Sequence, residues 1–343
     1  MISRLTTVIV CGLLAWSLTA CEPGDNADDS TAAAQQKDWA LVIHGGAGTI
    51  SRDMEDELRE MYEESLEAAL QAGSEILENG GTSLEAVEAA VTIMEDDSLF
   101  NAGRGAVYTN EARHELDASI MDGSNLEAGA ITGVTTVKNP IKLALEVKQN
   151  SRHILFAAEG AETFADETDV ERVDNSYFNT QRRYEALQRA MSSNELMPGQ
   201  EDYYSEGHDL GTVGAAALDQ DGNLAAGTST GGLTNKKFGR VGDVPIIGAS
   251  TYANNNTCAV STTGTGEEFM RNVVSHHVSA LMEYAGKSLQ DAVDHVLHER
   301  LQPGDGGIIA VDHSGNLVAN FTSEGMYRGT ADSDGEFSVA IWD

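Results

Sequence analysis

The chain has 343 residues and a formal net charge of −34, from 55 acidic and 21 basic side chains. A chain this acidic, with no basic stripe, is not expected to bind nucleic acid. Two of its three cysteines, Cys11 and Cys21, lie near the N-terminus, which leaves only Cys258 for the folded part. One cysteine can build neither a disulfide framework nor a cysteine-based metal site.

The N-terminal residues have the pattern of an export signal. Arg4 precedes a mostly apolar run over 5–18, which is too short to predict a membrane span. The segment Leu18-Thr-Ala-Cys21 resembles a bacterial lipobox, so we predict a signal peptide at 1–20 and lipid attachment at Cys21. An ordinary secretory signal with an incidental cysteine is the alternative.

Residues 21–38 follow this signal and are acidic, with no apolar periodicity. This composition is typical of a solvated tether. We therefore expect an exported, periplasmic lipoprotein that meets the membrane only through its lipid anchor.

The next part of the chain predicts helices alternating with strands. Thr82 is expected to cap a helix, with Glu85 three residues later completing a capping box. The periodicity predicts strands at Trp39–Ile43, Leu116–Met121 and Gly129–Val137, and helices at Met54–Asn79, from Thr82, from Pro140 and at Ser176–Ser192.

After a loose polar stretch over 193–210, the pattern shifts toward short strands. Strands are predicted at Val213–Leu218, Leu224–Ser229, Ile246–Ala249 and Cys258–Thr263, and helices at Glu267–Gly286 and Ser288–Leu301. Asp219–Asn223 and Asp312–Asn316 each predict a tight hairpin turn. A calcium loop at the first turn is disfavoured because the twelve-residue ligand pattern is absent. Helices and strand pairs together indicate α/β or α+β layers.

A serine esterase is one interpretation of the central motifs. Gly227-Thr-Ser229-Thr-Gly231 matches the G-x-S-x-G pentapeptide, and His44-Gly-Gly46 resembles an oxyanion loop. In that fold the serine lies at a strand-to-helix turn. The residues over 232–239 are not expected to start a helix, which counts against this interpretation.

Gly211-Thr212 offers a different chemistry. If the chain were cut there, Thr212 would carry a free α-amine, whose pKa is ordinarily about 7.7–8.0. Such an amine can act as the base for the hydroxyl of the same residue. A single Gly-Thr dipeptide is usually only a turn, so the surrounding motifs decide.

Six motifs follow one another along the chain: His44-Gly-Gly-Ala-Gly48, Phe100-Asn-Ala-Gly103, Gly211-Thr-Val-Gly214, Thr228-Ser-Thr-Gly-Gly232, Gly239-Arg-Val-Gly-Asp243 and Thr263-Gly-Thr-Gly266. In this order they resemble the plant-type asparaginase/isoaspartyl peptidase family of N-terminal-nucleophile hydrolases, from about Ala40 to Tyr327. The resemblance implies an α+β fold, a four-layer αββα sandwich. It also implies self-cleavage at Gly211–Thr212 into an α subunit, 39–211, and a β subunit, 212–343, that stay associated.

The resemblance also assigns catalytic roles. It implies that Thr212 is the nucleophile, with its own amine as the base, and that Thr230 orients the attacking oxygen. Thr263 and Gly264 are implied as the oxyanion hole, through one hydroxyl and one backbone N–H. His44 is expected to be a structural histidine with satisfied hydrogen bonds rather than a base.

Substrate contacts are implied as well. Arginine grips a carboxylate with two parallel hydrogen bonds, and aspartate can hold an ammonium group, so Arg240 and Asp243 fit the zwitterionic end of an amino acid. A simple surface ion pair is the alternative. The resemblance extends the substrate-binding set to Asn101, Val241, Gly242, Thr263, Gly264, Thr265 and Gly266. It further implies a sodium-binding loop of backbone carbonyls at Glu95, Phe100, Ala102 and Arg104.

The implied activity is hydrolysis of isoaspartyl dipeptides and L-asparagine through a β-aspartyl ester on Thr212. It needs no cofactor beyond the structural Na⁺, and the family implies a dimer of α/β heterodimers. A glycosylasparaginase is the first alternative, because Gly207-His-Asp209 resembles that related group. A protease of the same superfamily and a non-catalytic ligand-binding lipoprotein remain open too.

Overall fold

A computed structural model of the chain describes residues 36–192 and 211–343. The predicted signal peptide, the lipidation site Cys21, most of the predicted tether and the polar stretch over 193–210 lie outside these residues. Among the described residues, no helix combines the length and apolar character needed to cross a membrane.

The described ranges contain α-helices and β-strands throughout. The helices are α1 (Asp56–Glu78), α2 (Ser83–Asp96), α3 (Pro140–Asn150), α4 (Ala158–Ala165), α5 (Gln181–Ser192), α6 (Gly266–Asn272), α7 (Val274–Ala285) and α8 (Leu289–Glu299). The strands are β1 (Ala40–Gly48), β2 (Leu116–Asp122), β3 (Ala128–Val134), β4 (Leu155–Ala157), β5 (Val213–Leu218), β6 (Leu224–Thr230), β7 (Thr251–Ala253), β8 (Cys258–Gly264), β9 (Gly306–Asp312), β10 (Leu317–Phe321), β11 (Gly325–Asp332) and β12 (Phe337–Ala340).

The strands form two sheets. The larger sheet has the order β12-β11-β1-β5-β6-β2-β3-β4, and the smaller one has the order β10-β9-β8-β7. All neighbours are antiparallel except β3 and β4. β5, which begins directly after Thr212, therefore lies inside the larger sheet between β1 and β6.

Side chains alternate between the two faces of each strand, and the core is therefore divided into three apolar clusters. Leu41 and Ile43 point to one face of the larger sheet and pack with α1, α2 and α3. Val42 points to the other face and packs with Ile309 of the smaller sheet. The far face of the smaller sheet, including Val260, packs with α7 and α8. The mixed helix and sheet content confirms the expected α+β class.

Local sequence signals account for several element ends. The capping box is confirmed: Glu85 N–H donates to Thr82 Oγ1 at 3.2 Å, and Thr82 N–H donates to Glu85 Oε2 at 2.9 Å. Both predicted hairpin turns are confirmed. Asp219 Oδ1 and Asp312 Oδ1 each accept backbone N–H bonds from two and four residues further on. Asp332 makes the same turn, which sequence reasoning missed.

Two predictions in the second half are wrong for one shared reason. Residues 246–249 form turns with an isolated bridge at Ile247, and the strand starts only at Thr251. The helix predicted over 267–286 breaks at Val273, whose φ is +48°. A new helix, α7, starts after this break, and the N–H groups of its first turn have no partner within the helix. Those of Ser275 and His276 donate instead to the carbonyls of Ala249 and Gly248 in that turn.

Other boundaries also differ from the predictions. The expected helix over 176–192 is a 3₁₀ turn at Asn175–Phe178 followed by α5, and the strand predicted over 129–137 ends at Val134. Lys37 and Asp38, assigned to the tether, are bound to the fold: Lys37 pairs with Asp332, and Asp38 N–H donates to Ser333 Oγ at 2.9 Å.

We predict that Thr82→Ala lowers the free energy of unfolding by about 1 kcal/mol, because the first turn of α2 loses its side-chain acceptor. Thr82→Ser keeps the acceptor and should stay close to the parent. Urea denaturation followed by circular dichroism measures both. Equal losses for the two variants would contradict the capping account.

Candidate active site

The predicted site residues lie between the two sheets, at the end of the inter-sheet core where polar side chains replace apolar ones. Side chains two residues apart on a strand share a face, so the alanines buried between the sheets mark that face. Steps of two along each strand lead from Ala216 to Thr212, from Ala226 to Thr230 and from Ala259 to Thr263. The topology therefore turns the three predicted threonines toward the space between the sheets.

The hydroxyl of Thr212 is held by a neighbouring strand. It donates to Thr230 Oγ1 at 3.0 Å. That oxygen also accepts the N–H of Gly232 at 3.0 Å, and Thr230 is buried. Thr230 therefore contacts the oxygen that the resemblance implies it orients.

The carbonyl before Thr212 is also held. Gly211 O accepts the backbone N–H of Asn101 at 2.9 Å. The Asn101 side chain is committed elsewhere, since Nδ2 donates to Gly232 O at 2.7 Å and Oδ1 accepts from Val107 N–H at 3.0 Å. The sequence predicted that the Asn101 side chain lines the site. In the structure it is the backbone N–H of Asn101 that contacts the Gly211 carbonyl.

Thr263 presents a buried hydroxyl with no hydrogen-bond partner within the described part of the chain. A buried polar group left unpaired costs about 1–3 kcal/mol, so this hydroxyl would gain from a hydrogen bond to a ligand. The next residue, Gly264, has φ +151°, and an added Cβ there would lie 1.9 Å from Asp305 O. Both features fit the predicted oxyanion hole.

The predicted clamp residues lie close together around a glycine. A Cβ added at Gly266 would lie 2.8 Å from Arg240 Nη2 and 2.8 Å from Asp243 Oδ1. A Cβ at Gly242 would lie 2.8 Å from Arg240 Nη1. Both glycines therefore keep this small space open. Val241 is half-buried, and Thr265 N–H donates to the carbonyl of Asp305 at 2.7 Å, just before α6.

Arg240 has a strong partner that sequence reasoning missed. Its Nε and Nη2 donate to the two carboxylate oxygens of Glu267 at 3.0 and 2.9 Å. This bidentate pair fixes the guanidinium plane. The only sequence signal was the position of Glu267 directly after Gly266.

Asp243 is buried, and burial disfavours the charged form of its carboxyl group. Burial raises the pKa of its carboxyl to about 6, although the positive charge of Arg240 opposes the rise. A buried carboxylate beside an open space is suited to hold a cationic group.

Both ring nitrogens of His44 are hydrogen-bonded, as expected. Its ring is fully buried, with Nδ1 bonded to Thr212 O and Nε2 to Ser261 Oγ, each at 2.9 Å. Burial lowers the pKa of the ring to about 3, against the opposing effect of the Thr212 bond. The serine esterase interpretation is wrong, because Ser229 points to the helix side and donates to Glu95 Oε1 at 2.6 Å.

Backbone oxygen atoms lie close to the two glycines of the predicted sodium loop. A Cβ at Gly103 would lie 2.3 Å from Glu95 O, and one at Gly105 would lie 2.0 Å from Phe100 O and 2.6 Å from Ser98 O. Carbonyls therefore crowd around these two glycines. Ala102 O already accepts the N–H of Gly105, and the Arg104 side chain turns away to Tyr177. Among the described residues, no three His, Cys, Asp or Glu side chains are grouped to bind a metal.

We predict that Gly214→Ala destabilises the protein by about 1–3 kcal/mol, because the new Cβ would lie 2.1 Å from Ser261 Oγ and 2.4 Å from His44 Nε2. Gly160→Ala is the matched control: Gly160 lies in α4 with open space around it, so alanine should stabilise by about 0.5–1 kcal/mol. Thermal melting measures both. A rise in melting temperature for Gly214→Ala would contradict the close packing described.

Comparison with known proteins agrees with this geometry. A family model, Asparaginase_2, described as asparaginase, matches residues 37–341. An isoaspartyl peptidase of Escherichia coli is 48% identical over 294 residues, which cover 84% of this chain and 91% of the relative. A "Probable isoaspartyl peptidase/L-asparaginase 2" of Arabidopsis thaliana is 42% identical over 329 residues, 89% of this chain and 99% of the relative. An isoaspartyl peptidase/L-asparaginase of Homo sapiens is 40% identical over 305 residues, covering 88% and 95%.

Proposed function

The chain belongs to the Asparaginase_2 family, and on this premise we propose that it is an isoaspartyl peptidase/L-asparaginase. It hydrolyses the β-amide of L-asparagine and of β-aspartyl dipeptides. The observation that carries the proposal is the bond from the Thr212 hydroxyl to Thr230, beside a Gly211 carbonyl already bound by the Asn101 N–H.

The proposed first event is self-cleavage. Thr212 Oγ1 attacks the carbonyl carbon of Gly211, and the negative charge on the carbonyl oxygen is stabilised by the N–H of Asn101. The C–N bond breaks, the nitrogen takes up the hydroxyl proton, and an ester remains. Water hydrolyses the ester and leaves a carboxylate at Gly211 and a free amine on Thr212.

In each turnover the Thr212 amine takes the hydroxyl proton as the oxygen attacks the β-carbonyl carbon of the substrate. The Thr263 hydroxyl and the Gly264 N–H stabilise the oxyanion. Ammonia or an amino acid leaves with the proton, and water then hydrolyses the β-aspartyl ester to release aspartate. Thr212 supplies both nucleophile and base, so the reaction uses no cofactor.

The substrate is held at its zwitterionic end. Arg240, oriented by Glu267, binds the α-carboxylate, and Asp243 binds the ammonium group. The buried position of Asp243 favours a small, fully desolvated amino-acid head over an extended peptide. Backbone carbonyls of Glu95, Phe100, Ala102 and Arg104 would hold a structural Na⁺, as the resemblance implies.

The finer architecture belongs to the same proposal. We assign a four-layer αββα sandwich, and the support is the division of the core into helix–sheet, sheet–sheet and sheet–helix clusters. The α subunit would be 39–211 and the β subunit 212–343. The resemblance supports a dimer of such heterodimers. The lipobox-like sequence before Cys21 supports export and periplasmic lipid anchoring.

We predict that the purified protein consists of two fragments, one ending at Gly211 and one beginning at Thr212. Thr212→Ala removes the attacking oxygen and should remain one chain, with activity below about one-thousandth of the parent. Thr212→Ser keeps a hydroxyl and should still be cut. Mass spectrometry and assays on L-asparagine, a β-aspartyl dipeptide and a glycosylated asparagine measure the outcome.

An intact parent chain with full activity would refute the cleavage step. Turnover of the glycosylated asparagine alone would favour a glycosylasparaginase. Cleavage of long peptides would favour a protease, and absence of turnover on every substrate would favour a binding protein.

We predict that inhibition by L-aspartate weakens as the pH falls through about 6, because the pKa of Asp243 is raised to about 6 and its neutral form cannot hold an ammonium group. The inhibition constant should be about tenfold larger at pH 5 than at pH 7. Asp243→Asn is neutral throughout and should bind weakly at both values. An unchanged constant in the parent would contradict the assigned role.

A further inference from the structure

A chain of buried hydroxyl groups leads away from His44, between the two sheets. Ser261 Oγ lies 2.7 Å from Thr228 Oγ1, which lies 2.6 Å from Thr251 Oγ1, and Ser119 Oγ follows at 2.8 Å. All four of these residues and His44 are fully buried. The chain begins at the carbonyl of Thr212, because His44 Nδ1 contacts that oxygen at 2.9 Å.

The carbonyl oxygen of Thr212 determines which group donates at each hydrogen bond in this row of hydroxyls. A carbonyl oxygen can only accept, so Nδ1 carries the proton and donates to Thr212 O. The neutral ring then has an unprotonated Nε2, which must accept from Ser261. The Ser261 oxygen can therefore accept from Thr228, whose oxygen accepts from Thr251. Each link from His44 to Thr251 is determined by the one before it, and Ser119 shares its proton between Thr251 Oγ1 and the Val244 carbonyl oxygen.

The surroundings leave the ring little freedom. Gly214 pairs with His44 in the sheet, and a Cβ there would lie 2.4 Å from Nε2. Directly after His44 the pairing of β1 with β11 shifts by one residue, so the strand is bulged between His44 and Gly46. Bulges commonly redirect a side chain beside an active site.

We propose that His44 is a positioning residue for the Thr212 nucleophile, with the hydroxyl chain through Ser261 and Thr228 as its support. The inference rests on the proposed function of Thr212. Two groups attached to the Thr212 Cα are then held: the carbonyl by His44 and the hydroxyl by Thr230. With both fixed, the amine is placed beside the hydroxyl whose proton it takes.

The test compares two amide substitutions of His44. The amide nitrogen of Asn reaches about the position of Nδ1 and can still donate to Thr212 O, whereas the amide of Gln reaches toward Ser261. We expect His44→Gln to lower kcat per cleaved site by about 10- to 100-fold with KM nearly unchanged. His44→Asn should stay within about threefold of the parent. Cleaved sites are counted by sequencing the N-terminal threonine.

Ser261→Ala tests the support without touching the Thr212 contact, and should lower kcat by about 3- to 10-fold. Ser279→Ala is the matched control: it removes a buried hydroxyl that lies 2.6 Å from Thr257 Oγ1, at the N-terminal half of α7. Its kcat should remain within about twofold of the parent. Thermal melting shows which variants are folded.

Parent-like kcat in His44→Gln overturns the inference, as does His44→Asn performing no better than His44→Gln. A folded but uncut His44→Gln beside a cut His44→Asn supports it, since the same hydroxyl carries out both reactions. If neither His44 variant folds, Ser261→Ala decides alone: a lowered kcat supports the inference and a parent-like value overturns it. Failure of the proposed function is recognised separately, by an uncut yet active parent.

Discussion

The site depends on one constraint: Thr212, directly before β5, must point into the space between two sheets. β5 lies between β1 and β6, so its backbone is paired on both sides, and its side chains alternate between the helix-facing and inter-sheet cores. Thr212 inherits the inter-sheet direction from this register. From that position its hydroxyl reaches Thr230 on the neighbouring strand and its carbonyl reaches His44. A register shift of one residue would turn Thr212 toward the helices.

The site is built largely from backbone and small side chains, and this explains its glycine- and threonine-rich motifs. At Gly214, Gly264 and Gly266 an added Cβ would lie within 3 Å of a group that the site uses or packs against. Threonine hydroxyls supply the polar contacts at little volume. The few charged groups, Arg240 and Asp243 with Glu267, are concentrated where a zwitterion would bind.

Patterns within a few residues were predictable from sequence, and contacts between distant segments were not. Short apolar runs predicted the central strands of the larger sheet, and the Thr82 capping box and the Asp219 turn depend only on neighbouring residues. The strand predicted at 246–249 failed because that segment instead caps α7, a helix that local pattern had merged with α6. The contacts of His44 lie 168 and 217 positions away in sequence, so only the fold reveals them. The contacts of Glu267 with Arg240 and of the Asn101 N–H with the Gly211 carbonyl were not predicted for the same reason.

The order of strands in the larger sheet has a consequence for refolding after the proposed scission at Gly211. The ladders between β1 and β5, β1 and β11, and β2 and β6 each join the segment before that bond to the segment after it. Neither fragment has the complete larger sheet, whereas all four strands of the smaller sheet lie after that bond. Folding of the uncut precursor is an intramolecular search, whereas reassembly of denatured fragments requires two chains to meet, so recovery would depend on their concentration. The proposed scission would thereby give the enzyme its nucleophile while discarding the covalent link that guided its assembly.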